Sequence, residues 1–429
     1  MRLLYRVYNI LATLSMPILF FRLWWRSRGV PARWERWQER CGYSPILKEC
    51  IWIHSVSLGE TIAAAPLIKK IIDHYPNTPI LVTNMTLTGS DQVRKQFGDN
   101  VINSYIPFDM PFFVRRFFER SKPKIAIIME TELWPNLFRQ CELRKIPIIV
   151  TNARLSQKSA DGYQRFFKSL MHWMMGCVTM LACQAKADGE RFLQLGLAKE
   201  KLCVTGNIKF DIQISDEILQ KGKALKQLIG GNRLVWVAAS THDTEEKLVL
   251  SAHKILLEKN PTALLILVPR HPERFDTVAE LLQTEGWEFS RRSLHQNITP
   301  KTQVYLSDTL GEMMTIFAAC DIAVVAGSFK PIGGHNVLEP AALAKPVISG
   351  PIVHNFTQAV DLLKEANAIE LVENSAESLA TTLCELAANS HLRNEKGARA
   401  LDVVEANRGA LDKQFYLINE QLSRAESLD

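Results

Sequence analysis

"CIWIHSVSLGETIAAAPLIKKIIDHYP", Cys50 to Pro76, changes its hydrophobic period half-way along. Ile51 to His54 is a short apolar run of the kind buried on both faces of a sheet. A polar loop follows and closes at Gly59. From Thr61 to Ile72 the apolar residues recur at helical spacing, and Pro76 stops the helix. The same succession then repeats through "PILVTNMT", "TGSDQVRKQFG", "VINSYIPFD", "PFFVRRFFERSKP", "KIAIIMETE", "LWPNLFRQCELRKI" and "PIIVTNARL". Short buried strands alternating with helices predict an α/β fold with a parallel, doubly wound sheet.

"TGNIKFD" (Thr205 to Asp211) interrupts the alternation, which restarts after a polar helix and "GGN". "LVWVAAST", "ALLILVPRHP", "DIAVVAGS", "KPVISGP" and "AIELVE" read as strands, and residues 376–428 as helices. A chain of 429 residues exceeds one core and suits two domains. The reading is therefore two Rossmann-like halves with a boundary near residues 205–215, facing each other across a cleft. Open α/β sheets bind ligands outside the carboxyl ends of their strands. The unusual polar stretches fall at those ends: Ser55 to Glu60, Glu130 to Asn136, Asn207 to Asp211, Ser240 to Asp243, Pro269 to Arg274 and Gly327 to Glu339.

The net charge of +6 has one source. The first 40 residues hold eight arginines and two glutamates, a surplus equal to that of the whole chain. A nucleic-acid binder spreads its basic face over a folded domain, so nucleic acid is not the expected partner. Here the charge flanks an uncharged run, Val7 to Phe21, with Trp24 and Trp25 at its exit. That combination points to an anionic membrane surface. The run is short for a span, and no small-residue cleavage site follows it promptly. An uncleaved anchor, spanning or lying in the interface, is preferred to a soluble helix packed on the body. "PFFVRRFFER" (Pro111 to Arg120) is either a second membrane contact or an amphipathic helix with its phenylalanines in the core. The eight cysteines show no C-x-x-C spacing, and the reading is reduced thiols rather than a disulfide or zinc framework.

Glu60, at a helix start after a strand and a glycine, reads either as a general base or as an acid stabilising a helix N-terminus. Glu130 and Glu132 stand at a strand's end. They are expected to face apart, one lining the cleft and one capping a helix, so a Mg²⁺ pair is not the reading. Lys209, Arg270, His271 and Arg274 put positive groups at strand ends, where phosphate or carboxylate would bind. "GSFKPIGGHNVLEP" (Gly327 to Pro340) is the most specific stretch. Gly333 and Gly334 open the backbone, Asn336 suits a helix cap, and Glu339 suits a cap or two sugar hydroxyls. A metal at His335 is disfavoured because no second ligand is spaced for it. No G-x-G-x-x-G, P-loop, nucleophile elbow or strand-end Asp-x-Asp is present.

Taken together, "HSVSLGE", "METELWPN", "TNARLS", "GNIKFD", "PRHPERF", "DTLGEM" and "GSFKPIGGHNVLEPA", behind an Arg-rich apolar N-terminus, resemble the 3-deoxy-D-manno-octulosonic acid (Kdo) transferases. The resemblance spans nearly the whole chain. It implies a GT-B glycosyltransferase with CMP-Kdo as donor, a lipid A precursor as acceptor, inversion at the anomeric carbon, and neither cofactor nor catalytic metal. It makes Glu60 the general base and Glu130 a second functional glutamate. It sets Lys209 and Arg270 against donor phosphate and carboxylate, and Asn336 and Glu339 against phosphate and ribose. Ser55, His271, Gly333, Gly334 and His335 complete the expected substrate contacts. The implied organisation is a membrane anchor over 1–25, an acceptor domain over 26–210 and a CMP-sugar domain over 211–429, whose terminal helices return to the first domain. The implied location is the cytoplasmic side of the inner membrane, against its phospholipid surface. A UDP-sugar GT-B enzyme and an inactive membrane-bound GT-B scaffold are the alternatives.

Overall fold

The computed structural model describes residues 2–28 and 34–426; Arg33 and the side chains of Arg2 and Arg26, part of the basic cluster, lie outside the described residues. The chain divides into two compact units, Met1–Asp211 with Arg408–Asp429, and Ile212–Asn407.

The first unit is built on a seven-stranded sheet: β1 (Cys50–His54), β2 (Ile80–Asn84), β3 (Ile102–Tyr105), β4 (Pro123–Met129), β5 (Ile148–Ala153), β6 (Met180–Cys183) and β7 (Leu202–Val204). Their order is β3-β2-β1-β4-β5-β6-β7, and every pairing is parallel. The direction of winding reverses between β1 and β4. The second unit repeats the plan with β8 (Val235–Thr241), β9 (Leu264–Pro269), β10 (Phe289–Arg291), β11 (Val304–Leu306), β12 (Ile322–Val325), β13 (Val347–Ser349) and β14 (Ile369–Leu371). The order is β10-β11-β9-β8-β12-β13-β14, again all parallel, with its reversal between β8 and β12. Both doubly wound sheets agree with the sequence reading. The strands it passed over, β6, β7, β10 and β11, are three or four residues long. Runs that short carry no measurable period.

Trp52 of β1 shows why these sheets hold. It is fully buried, meets Phe117 and Phe118 edge-on at 5.2 and 5.5 Å, and donates its indole N–H to Thr83 Oγ1 at 2.8 Å. Those phenylalanines sit on α4 (Pro111–Ser121), where Phe113, Val114, Phe117 and Phe118 are buried and Phe112 is exposed. The aromatic–basic stretch is thus an amphipathic helix with its aromatic face in the core.

The N-terminal helix α1 (Arg2–Ser27) has two different faces. Along one, Tyr5 donates to Asn136 Oδ1 (2.6 Å), Tyr8 donates to Asp109 Oδ2 (2.8 Å), and Asn9 Oδ1 accepts from Asn136 Nδ2 (2.8 Å). Further along, Met16, Leu19 and Phe20 pack on Cys41, Phe108, Met110 and Phe113. Along the other face Leu3, Val7, Ile10, Leu11, Leu14, Ile18, Phe21 and Trp25 are exposed, a single stripe at three- and four-residue spacing. By length and composition Leu3–Trp25 is apolar enough to cross a membrane.

The last helix, α16 (Ala410–Glu426), belongs to the first unit. Ala410, Leu411, Ile418 and Leu422 join Ile51, Ile53, Leu67 and Ile127 in one core. Its start is held by Asp211, whose carboxylate accepts from the N–H groups of Gly409 (2.6 Å) and Leu411 (2.7 Å). Removing that carboxylate leaves two N–H groups without their partner, at about 1–3 kcal/mol for each one that water does not reach. Asp211→Ala is therefore expected to raise amide hydrogen exchange across residues 410–426 and to leave the strands β8, β9 and β12 unchanged; equal exchange throughout would contradict the assignment.

Candidate functional site

Each unit carries its unusual polar residues where its winding reverses, the usual ligand crevice of an open α/β sheet. In the first unit the crevice lies past β1 and β4. Ser55 is fully buried there. Its hydroxyl meets Thr61 Oγ1 at 3.1 Å, and Asn84 Nδ2 donates to its Oγ (3.1 Å) and carbonyl (2.9 Å), so Ser55 fixes the loop from behind. Ser57 caps α2 (Leu58–His74). Glu60 sits three residues on, and its carboxylate accepts from the Val56 N–H (2.8 Å) and the Ser57 hydroxyl (2.9 Å). This is a variant of the capping box, in which the acid accepts from the N–H of the residue before the cap and from the cap's hydroxyl. The helix-end reading of Glu60 is thus a geometric fact, and it leaves the base reading open. Burial, and then the negative charge of Glu130, push the Glu60 carboxyl above the ordinary glutamate range, against the opposing pull of the Val56 N–H, Ser57 and Arg154.

Glu130 follows β4 in the left-handed backbone region, φ 54°, and is buried. Its carboxylate accepts from Arg154 Nε at 2.8 Å. Glu132 accepts from Trp134 Nε1 at 2.6 Å. Burial pushes Glu132 up to about 7, and repulsion from Glu60 and Glu130 adds to the shift. The expectation that Glu130 and Glu132 face apart is therefore corrected. Residues two apart on an extended segment share a face, and the left-handed turn at Glu130 takes the pair out of simple alternation while both acids stay within electrostatic reach of Glu60. Lys209 joins them from the turn Ile208–Phe210. Burial lowers its pKa, while Glu130 and Glu60 hold the proton on. The crevice so gathers three carboxyl groups and two cations. Sequence reasoning passed over Arg154, although it lies within "TNARLS", and ranked Glu132 below Glu130. Charge coupling between separate strand ends has no sequence signal.

In the second unit the crevice lies past β8 and β12. Glu245, the first residue of α9 (Glu245–Lys259), is buried and organises it. Its carboxylate accepts from the backbone N–H groups of His242 (2.9 Å), Gly327 (3.0 Å) and Phe329 (3.1 Å). The glycine loop is close-packed as well as open. At Gly327, φ 72°, a Cβ would come within 2.6 Å of the His335 ring; at Gly333, φ 105°, within 2.4 Å of His354 Nε2. His335 and His242 meet edge to edge, ring planes 4° apart and centroids 5.1 Å apart, with Nε2···Nε2 at 2.8 Å, and His271 meets His242 edge-on at 5.2 Å. Asn336 donates to Glu339 Oε1 (3.0 Å) and accepts from the Leu338 N–H (3.1 Å). The helix that follows, α12 (Leu338–Ala342), has only five residues, and Val337 is its cap residue. So short a helix sums few peptide dipoles, and any anion held here must be met by side chains. Arg270 is exposed and acts on His242, His335 and Glu339. Arg274 is committed to Glu246 (3.1 Å) and Asp243 (3.3 Å). Burial raises the Glu339 carboxyl, opposed by Asn336 and Arg270. Sequence reasoning missed Glu245, and it gave His242 no role of its own within the stretch Ser240 to Asp243. Among the described residues no group of three or more His, Cys, Asp or Glu side chains is arranged to hold a metal ion.

Residues 35–212 match the family described as 3-Deoxy-D-manno-octulosonic-acid transferase (kdotransferase), and residues 232–402 match Glycosyl transferases group 1. A 3-deoxy-D-manno-octulosonic acid transferase of Haemophilus influenzae is 40% identical over 421 residues, covering 97% of this chain and 98% of that protein. The chain belongs to the Kdo transferase family. It is a glycosyltransferase. A Bordetella pertussis protein of the same name is 34% identical over 82% of this chain and 84% of its own length. A solved UDP-GlcNAc 2-epimerase from Neisseria meningitidis aligns with TM-score 0.56 at 15% identity, over 88% of this chain and all of that one; it shares the GT-B fold.

For this family member Glu245 is the structural centre of the second crevice. Glu245→Ala would leave three buried N–H groups unpaired, at about 1–3 kcal/mol each. The expected result is a lower urea midpoint for the second unit. An unchanged midpoint would show that the loop holds itself.

Proposed function

We propose that the chain transfers Kdo from CMP-Kdo to a hydroxyl of a lipid A precursor, with inversion at the anomeric carbon. The observation that carries this is the first-unit crevice: a carboxylate raised above its usual range, held by two hydrogen bonds on a rigid helix start, among two further acids and two cations. In this reading Glu60 takes the proton of the acceptor hydroxyl as that oxygen attacks the anomeric carbon. The bond from that carbon to the phosphate oxygen breaks with its electron pair, and CMP leaves from the opposite face. Glu130, paired with Arg154, helps hold Glu60's charge state. Lys209 and Arg154 balance the negative charges of donor and acceptor. In the second unit Arg270 meets donor phosphate, His271 and His335 line the site with Gly333 and Gly334, and Asn336 and Glu339 hold phosphate and ribose. Ser55 acts by fixing the loop. No metal ion or cofactor enters the reading.

The membrane reading rests on α1. Its polar and apolar contacts bind one face to the first unit from Tyr5 to Phe20, while the opposite face is an uninterrupted apolar stripe. A helix docked along that length lies in the interface rather than across the bilayer. Phe166 and Phe167 are two further exposed aromatic side chains, at the kink in α6 (Gln157–Cys177), with the Arg165 guanidinium over the Phe166 ring. Basic residues around α1 attract anionic headgroups at about 1 kcal/mol each. In this reading the enzyme works at the cytoplasmic face of the inner membrane, next to an acylated acceptor.

Three results test the proposal. Glu60→Gln keeps the shape and loses the base, so turnover should drop about 10²–10⁴-fold with donor affinity retained. In the wild type the same raised carboxyl must be deprotonated to act. kcat/KM is therefore expected to fall as pH drops through a value above the ordinary glutamate range; near-normal turnover of the variant would reduce Glu60 to a helix-end acid. Asn336→Ala and Glu339→Ala should each weaken CMP binding by about 1–3 kcal/mol in calorimetry, and unchanged affinity in both would remove the nucleotide from that loop. Full-length protein should float with anionic vesicles at low salt and less at high salt. Absence from the floating fraction in both would return α1 to the role of a packed soluble helix.

A further inference from the structure

The His242–His335 contact has a definite proton count. Nitrogen atoms 2.8 Å apart must share a hydrogen, so one Nε2 carries a proton and the other presents its lone pair. Two protonated Nε2 atoms at that distance would turn N–H against N–H and break the contact. A proton added to the free Nδ1 of the donating ring keeps it, and converts it to a charge-assisted hydrogen bond. At this geometry the pair can hold a charge of zero or +1, and not +2.

The surroundings keep the unliganded pair neutral. Burial, then His271, Arg270, Arg274 and Lys330, lower His242 to about 4; burial, then Arg270, His242 and His271, lower His335 to about 3. These groups come from the segments after β9 and β12. The acids nearby are already engaged: Glu245 by three backbone N–H groups, Asp243 and Glu246 by Arg274, and Glu339 by Asn336. His335 cannot turn away freely, because its ring lies against Gly327, and His354 occupies the side of Gly333. An anion placed beside Arg270 would cancel the repulsion that excludes the proton.

We propose that His242 and His335 are a one-proton device that takes up a proton from solvent when the anionic group of the sugar nucleotide binds, making His242 a positioning residue for the donor. This rests on the reading of the second unit as the donor site. The consequence has a fixed sign. The pair binds its proton more tightly in the liganded state, so ligand affinity strengthens as pH falls from neutrality toward about 4. The gain approaches about tenfold per pH unit where uptake approaches one proton.

The test is calorimetric titration of the full-length protein with cytidine 5′-methylphosphate, a phosphodiester whose charge does not change near neutrality. It is run at pH 6.0 and about 7.5 in buffers of different ionisation enthalpy. The wild type is expected to take up protons on binding, more at the lower pH and never more than one per site. His242→Phe keeps a ring against His335 and His271 and removes the sharing nitrogen. It should still bind, with little uptake and a flat pH dependence. Binding without uptake in the wild type, or uptake unchanged in His242→Phe, overturns the proton device and leaves the donor site standing. Binding of neither this diester nor CMP overturns the donor-site reading and the device with it. Should the variant fail to fold, the wild-type proton count alone decides.

Discussion

The pairing of β1 with β4 is the constraint on which the first unit's chemistry depends. Ile53 sits opposite Ile127 and His54 opposite Ile128, in parallel register. That register brings two loop starts separated by about 75 residues to the same edge of the sheet, one leading to Glu60 and the other to Glu130. The strands contribute no chemistry themselves. They are buried apolar runs whose burial, at about 25 cal/mol per Å², fixes the rigid floor above which short loops can hold charge. The second unit uses the same device, with β8 beside β12 bringing His242 next to the loop that carries His335.

Charged groups in these crevices would be costly without partners, and nearly all have them. Glu60 has an N–H and a hydroxyl, Glu130 has Arg154, Glu132 has Trp134, and Glu245 has three N–H groups. What remains after pairing is tuning. Glu60 and Glu132 are held above their ordinary range, Glu132 at about 7, and Lys209 below its own. A carboxylate held above its ordinary range is a stronger base toward a hydroxyl than a free one.

Much of this was legible in the sequence because it is periodic. The run Ile51–His54 and the helical spacing after Thr61 disclose strand and helix, and the glycines at 327, 333 and 334 disclose a loop under steric constraint. The role of Glu245 was not legible. An acid at a helix start looks like any other helix-end acid, and only the fold shows that it also accepts from Gly327 and Phe329, more than 80 residues away in sequence. Glu132 illustrates a different failure. Its environment depends on Glu60, on Trp134 and on the left-handed turn at Glu130, none of which a pattern of apolar residues records. His242 was hidden for the same reason, since its partner lies 93 residues on.

The central claim is that this chain couples departure of CMP to glycosylation of a lipid acceptor. It is tested most directly by measuring CMP released from CMP-Kdo with and without a lipid A precursor, with the lipid product weighed by mass spectrometry. The account predicts slow release alone, fast release with the precursor, and a lipid heavier by Kdo residues equal in number to the CMP released in excess of the rate without precursor. Release that ignores the precursor, or a precursor that gains no sugar while a UDP-sugar is consumed instead, would contradict it.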